Sequence, residues 1–339
     1  MRRRDFLKQG LGTAAGLTLG SGLIVPPWVQ AGDDDSRLPL QAGWVDDEIA
    51  RVTWINSQSK PFLSQQNKDI RGTGKGKVTL LWKYFEEVTG NPLVPHLQEI
   101  GDCVSHAFGL GVDILTAVQM LMHNKPERWV AKAATEIIYA GSRIEIGNGK
   151  VGYGDGSMGT WAGEFINKWG VLHRKRYLGG KYDYTEYSGQ VARTLGRKGV
   201  PDALEPLCRL HPVKTASICR SWSECRDAIA NGHLVCMCSS VGFKTRGGRD
   251  KDGFLTPSRR PWMHAMLIAG ADDKYKRPGG LIINSWGSNW VYGPKRHGQP
   301  EGSFWADASV IDRGLRQGDS IAISAYLGYP RLDLDYRFW

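Results

Sequence analysis

This chain of 339 residues has few of the features that would tie it to a metal, a nucleic acid or a membrane. It contains six cysteines, with no CxxC pair and no His/Cys cluster at ligand spacing. That argues against a zinc site, and neither a metal nor an organic cofactor is expected. No basic run is interleaved with aromatics, so nucleic acid is not an expected partner. Internal repeats and low-complexity tracts are missing, which excludes a solenoid or a largely disordered chain. The glycine-rich apolar stretch Leu11–Val25 falls short of the roughly 20 residues needed to span a bilayer. Acidic residues are outnumbered, 34 against 44 basic, for a net charge of +10. Arg2, Arg3, Arg4 and Lys8 against Asp5 account for +3 of it, which leaves a mildly basic surface. Attraction to anionic cell-surface polymers would rest on that charge alone.

The remainder is ordinary for a soluble globular protein: 41% hydrophobic and 23% charged residues, enough for one large or two modest domains. The informative stretch runs from Gln98 to Phe108. A glycine-containing turn ends at Cys103, and Val104, Ala107, Phe108, Leu115, Val118 and Met122 follow at helical spacing. Cys103 is therefore expected at the first turn of a helix of about 20 residues, with Asp102 as N-cap. A thiol there feels the positive helix end and unpaired backbone N–H groups, both of which favour the nucleophilic thiolate.

A thiol nucleophile needs an imidazole to take its proton, and the imidazole needs a third group to orient it. His264 opens the apolar run His264–Gly270, and Asn284 closes the run Gly280–Asn284. Cys103, His264 and Asn284 supply the three parts in that order. With Gln98 and Ala107-Phe108 around the cysteine, Ala265 after the histidine, and Ser285-Trp286-Gly287 after the asparagine, the chain resembles the papain-like cysteine peptidases. His264 follows Cys103 by 161 residues, against roughly 130–150 in that family.

The resemblance implies an α+β, two-lobed fold: a helical lobe, an antiparallel β-barrel-like lobe, and the active site in the cleft between them. It implies a peptide or protein substrate and an acyl-enzyme on Cys103. Gln98 would donate to the oxyanion, Trp286 would shield the His264–Asn284 bond and border the substrate, and Gly156 and Ser157 would hold an extended peptide by their backbone. The chain departs from the pattern at four points. Gln98 lies five residues before Cys103 instead of six. Asp102 sets a carboxylate beside the nucleophile, which disfavours thiolate. The Ser157 side chain is expected to crowd the substrate wall. The cysteines that usually tie the catalytic turn to the glycine loop fall on Ile100 and Gly154, so packing must hold that turn. The first three departures motivate a second reading, a catalytically silent binding or structural module. A third is a Cys-His amidase acting on cell-wall peptides.

Along the chain, residues 1–31 read as a targeting segment. Arg3-Arg4-Asp5-Phe6-Leu7-Lys8 resembles the twin-arginine export signal, and Val29-Gln30-Ala31 offers small residues for cleavage. Periplasmic or extracellular location is the expectation, with no stable membrane span after cleavage. Residues 32–76 read as a polar surface extension and linker, 77–205 as the helical lobe with the nucleophile, and 206–339 as the β lobe with the histidine and asparagine. Helices are expected at 130–145, at 160–169 and after the capping-box sequence Ser221-Trp222-Ser223-Glu224. Strands are expected at 234–241, 264–270, 281–284, 302–306 and 320–327. Residues 172–220 read as loop, with a plausible Cys208–Cys219 clip.

Overall fold

The computed structural model describes residues 42–122, 129–211, 213–332 and 334. The targeting segment, the first part of the extension, and the Asn124-Lys125-Pro126 stop expected for the catalytic helix lie outside these residues. In chain order the helices are α1 Glu48–Ser57, α2 Trp82–Thr89, α3 Cys103–Met122, α4 Thr135–Gly141, α5 Gly159–Lys168, α6 Gly189–Lys198, α7 Glu205–Cys208, α8 Trp222–Ile229 and α9 Ala308–Leu315. The strands are β1 Val78–Leu80, β2 Arg176–Tyr177, β3 Tyr182–Asp183, β4 Thr215–Ile218, β5 Leu234–Ser239, β6 His264–Asp272, β7 Gly279–Ile283, β8 Ser303–Asp307 and β9 Ile321–Ser324. The class is α+β, as expected.

The seven-stranded sheet has the order β4-β9-β5-β6-β7-β8, with β1 pairing the far end of β6, and every pair is antiparallel. β6 is apolar along almost its whole length and every residue in it is buried, as a strand covered on both faces must be. Its covers are visible in the contacts of β5. A Cβ added at Gly111 of α3 would meet Cys236, Leu267 and Ile323, whereas one at Gly314 of α9 would meet Met237 and Ser239. Successive β5 side chains thus face α3 and α9 in turn, by the two-residue period of a strand.

α3 is long and apolar enough to cross a membrane, but 83% of its most apolar window is buried inside the protein, against the sheet, α2 and α4. It is the helix that carries Cys103 into the core. The segment expected as linker has more order than a linker. Asp47 caps α1 by accepting from Ala50 N–H at 2.9 Å, and Trp44, Trp54, Leu63 and Ile70 are buried. Residues 172–220, expected as loop, hold β2, β3, α6, α7 and β4. All six cysteines are free and buried. The neighbour of Cys219 is Cys225, not Cys208.

Candidate active site

α3 begins at Cys103 with no side-chain cap. Asp102 stands at the cap position and its carbonyl accepts from His106 N–H at 3.3 Å. Its carboxylate turns elsewhere. Oδ2 accepts from Tyr187 Oη at 2.9 Å and lies 3.3 Å from His106 Nε2. Asp102 thus holds the expected N-cap position by its carbonyl, while its side chain binds a buried phenol instead of the helix end. Sequence reading also missed that His106 continues into a histidine pair, with its Nδ1 3.2 Å from His96 Nδ1.

The sulfur of Cys103 lies against the first residues of β6. Ala265 N–H donates to Sγ at 3.3 Å, so the sulfur meets the β6 backbone one residue after His264. His264 Nε2 is 2.7 Å from Asn284 Oδ1. That oxygen also accepts from Ser285 N–H at 2.7 Å, so it is an acceptor twice over and Nε2 must carry the ring proton. Nδ1 is then the basic nitrogen. It is buried and has no hydrogen-bond partner among the described residues. Trp286 covers this pair, its ring 4.9 Å from the imidazole, and Trp262 and Trp290 pack on Trp286 at 4.8 and 5.1 Å. Expected both to shield and to border the substrate, Trp286 makes its ring contacts with the imidazole and these tryptophans. A hydrogen bond in so dry a setting is electrostatically stronger than one in water.

Gln98 is 1% exposed. Its amide nitrogen donates to Ile100 carbonyl at 2.8 Å and its oxygen accepts from Ser285 Oγ. One N–H of the amide is thus tied into its own turn, and the amide oxygen into the Asn284 loop. Backbone bonds from Gln98 N–H to Ser285 carbonyl (2.9 Å) and from Gly287 N–H to His96 carbonyl (2.8 Å) fasten the two segments together.

The glycine loop forms the opposite wall. Gly156 adopts φ +121°, a region that favours glycine. The Ser157 side chain does not crowd the cleft. It turns inward and its Oγ donates to Ser142 Oγ at 2.7 Å. The tie to the catalytic turn is polar, where packing alone was expected. Asp155 accepts from Gly101 N–H at 3.4 Å and pairs with Arg193 at 2.7 Å. Arg143, 3% exposed, donates to the carbonyls of Gly152, Gly154, Gly156 and Gly196 at 2.6–2.9 Å.

Sequence reading missed what lies between the walls. Residues 42–45 run through the cleft as a strap. Ser157 N–H donates to Gly43 carbonyl at 2.8 Å, Val45 N–H to Ser157 carbonyl at 2.9 Å, and Trp44 N–H to the carbonyl of Met263 at 3.0 Å. Trp44 and Ser157 form a parallel bridge. Met263, directly before His264, adopts φ +46°, a conformation rare for a long side chain. Gly43 passes so close to Gly101 that an added Cβ would sit 2.0 Å from its carbonyl oxygen.

Under the strap, Cys103 and His264 are both 0% exposed. Burial pushes the thiol up to about 12, with the Asp102 charge adding and the N–H groups of Ala265, Gly43 and Val104 opposing. Burial also brings His264 down to about 4, against the opposing bond to Asn284. The helix end was expected to favour thiolate, but desolvation outweighs it here. The closed form holds both the thiol and the imidazole neutral. Among the described residues, no group of three or more His, Cys, Asp or Glu side chains converges as a metal site.

No protein-family model matches the chain, and no curated protein matches it. Solved structures do. Xylellain, a cysteine protease from Xylella fastidiosa, aligns over 84% of this chain and 96% of its own, with 17% identity and a TM-score of 0.56. The ragweed pollen cysteine protease Amb a 11 in its proform aligns over 84% of this chain and 75% of its own, at 12% identity and a TM-score of 0.44. Procathepsin L 3 of the Tenebrio molitor larval midgut covers 81% and 79%, at 13% and 0.42. The likeness to xylellain establishes the fold, which is that of the papain-like cysteine proteases.

Proposed function

We propose that this papain-like chain is a cysteine peptidase held closed by its own N-terminal strap. The observation that carries the reading is the strap's backbone pairing. An extended segment is hydrogen-bonded to Ser157 on one wall and Met263 on the other, and it passes over Cys103, whose sulfur accepts from the residue that follows an oriented His264. A substrate peptide would use the same edges once the strap has left. Cys103 would then attack the scissile carbonyl as Nδ1 of His264 takes its proton. The leaving amine would take that proton back, and water would release the acyl group. Asn284 holds the ring in the tautomer whose Nδ1 can take that proton. Gln98 supports the turn that carries Cys103, and the export signal delivers the protein to the periplasm or the exterior.

The test is labelling of Cys103 by a peptidyl electrophile, read by mass spectrometry, alongside hydrolysis of a protein substrate, with Cys103→Ala as control. An adduct and hydrolysis that both vanish in the control are expected. A second reading is favoured by the buried, neutral thiol, namely a silent binding module. Absence of any adduct after the strap is displaced by denaturant pulse and refolding with excess electrophile would decide for it. Export is tested separately: lysine in place of Arg3 and Arg4 should trap the chain inside the cell.

A further inference from the structure

A cavity of about 10 Å³ is lined by Asn284, Ser285, His96 and His106, with Ala107 and Leu110. That is room for one water molecule. Three buried polar atoms of these lining residues have no hydrogen bond among the described residues: Nδ2 of Asn284, Nε2 of His96 and Nε2 of His106. The last of them lies 3.3 Å from Asp102 Oδ2.

The neighbours fix where the hydrogens sit. Asn284 Oδ1 accepts from His264 and from Ser285 N–H, so the amide is oriented and its Nδ2 is a donor. A carboxylate only accepts, so the nitrogen beside Asp102, Nε2 of His106, carries hydrogen. A neutral imidazole has one donor and one acceptor nitrogen. Nδ1 of His106 therefore accepts across its 3.2 Å contact with Nδ1 of His96. Burial and the neighbouring His106 hold His96 well below the usual imidazole range. Its ring is thus neutral, and with Nδ1 donating, its Nε2 is an acceptor. A donor lacking an acceptor and an acceptor lacking a donor belong to the walls of one cavity.

We propose that His96 and His106 are positioning residues, joined to Asn284 by one water held in this cavity. The water accepts from Asn284 Nδ2 and donates to His96 Nε2. Hydrogen bonds then run from His264 through Asn284, the water, His96 and His106 to Asp102, every one donating toward the carboxylate. Bonds in such a row polarise one another. The row raises the electron density on Asn284 Oδ1 and keeps that oxygen, not the amide nitrogen, turned to His264. The carboxylate that opposes thiolate at Cys103 thereby supports the imidazole that takes the thiol proton. This positioning role rests on the peptidase reading, whereas the water and the hydrogen positions do not.

Two arms test this, both on the full chain. The first needs no catalysis. A high-resolution crystal structure should show one water within hydrogen-bond reach of Asn284 Nδ2 and His96 Nε2. Long-range proton–nitrogen NMR spectra, with each ring assigned by its absence in His96→Phe and His106→Phe, should find hydrogen on Nδ1 of His96 and on Nε2 of His106. An empty cavity, or hydrogen on Nε2 of His96, overturns the proposal. The second arm follows peptide hydrolysis. In His96→Phe, which removes the acceptor, kcat should fall about tenfold while KM stays within about twofold. His96→Gln, which keeps an acceptor, should recover most of that loss. An unchanged kcat in His96→Phe, or equal losses in the two variants, overturns the positioning role, and where His96→Phe does not fold the first arm decides. If no peptide is cut and Cys103 takes no label, the peptidase reading fails, while the first arm still decides whether the water joins Asn284 to His96.

Discussion

Acid should open the strap, and the size of the effect follows from His264. In the closed form burial holds its pKa at about 4, whereas a solvated imidazole titrates near 6.5. The open form therefore binds a proton that the closed form refuses. The advantage of the closed form is complete above the open-form pKa, about 6.5, and is lost as pH falls from there toward about 4. Between about pH 7.5 and about pH 5 this single group shifts the balance by about 2 kcal/mol, close to 30-fold in the opening constant. Cys103 adds little in this range, because its thiol is protonated when buried and a solvated thiol titrates only near about 8.5. Asp319 has the opposite sign, since burial raises its carboxyl, so the variant His264→Gln is needed to isolate the imidazole's share. The assay is hydrogen exchange at Trp44 and Val45 N–H, corrected for the intrinsic pH dependence of exchange. Measured against His264→Gln, which keeps the share of Asp319, wild type should lose about 30-fold more protection between the two pH values. The same change in His264→Gln as in wild type would refute the reasoning.

Three further outcomes follow from the same contacts. Gly43→Ala places a methyl on Gly101 carbonyl, so the strap should lift and Cys103 labelling should rise about tenfold or more, with the melting temperature of the body unmoved. Arg143→Ala strands buried carbonyls in the glycine wall and should cost about 3 kcal/mol in a urea titration, with Arg143→Lys recovering part of it. Asn284→Ala frees the imidazole to rotate and leaves Ser285 N–H without its acceptor. Hydrolysis should drop by about 10- to 100-fold, read as kcat at saturating peptide, and an unchanged kcat would remove Asn284 from the mechanism.

What could be read from the sequence was whatever short spacing determines. The start of α3 at Cys103 follows from an apolar period after a glycine turn, and β6 and β7 follow from uninterrupted apolar runs. The helix after Ser221 follows from its cap: Ser221 Oγ accepts from Glu224 N–H at 3.2 Å. Even there only half of the box forms, because Glu224 reaches Arg220 N–H instead of Ser221. α6 was missed because its interior is polar (Gln190, Arg193, Thr194, Arg197), and β2 and β3 because two-residue strands carry no period.

The strap was beyond sequence reading for a different reason. Nothing in Ala42-Gly43-Trp44-Val45 shows a period, a cap or a motif, and a polar stretch broken by glycine normally reads as linker. Its place depends on partners that lie far along the chain: Gly101, Ser157, Met263 and Asp319. Each constrains the strap in its own way. Gly101 admits only glycine at position 43, Ser157 and Met263 need only a backbone, and Asp319 needs an N–H at the tip of the next side chain. A segment chosen by these three demands has the sequence glycine, then a large donor-bearing residue. That is too short a pattern to recognise in advance. Once the cleft is known it is also too specific to be a linker, because an arbitrary polar tail would satisfy the backbone demand and fail the other two.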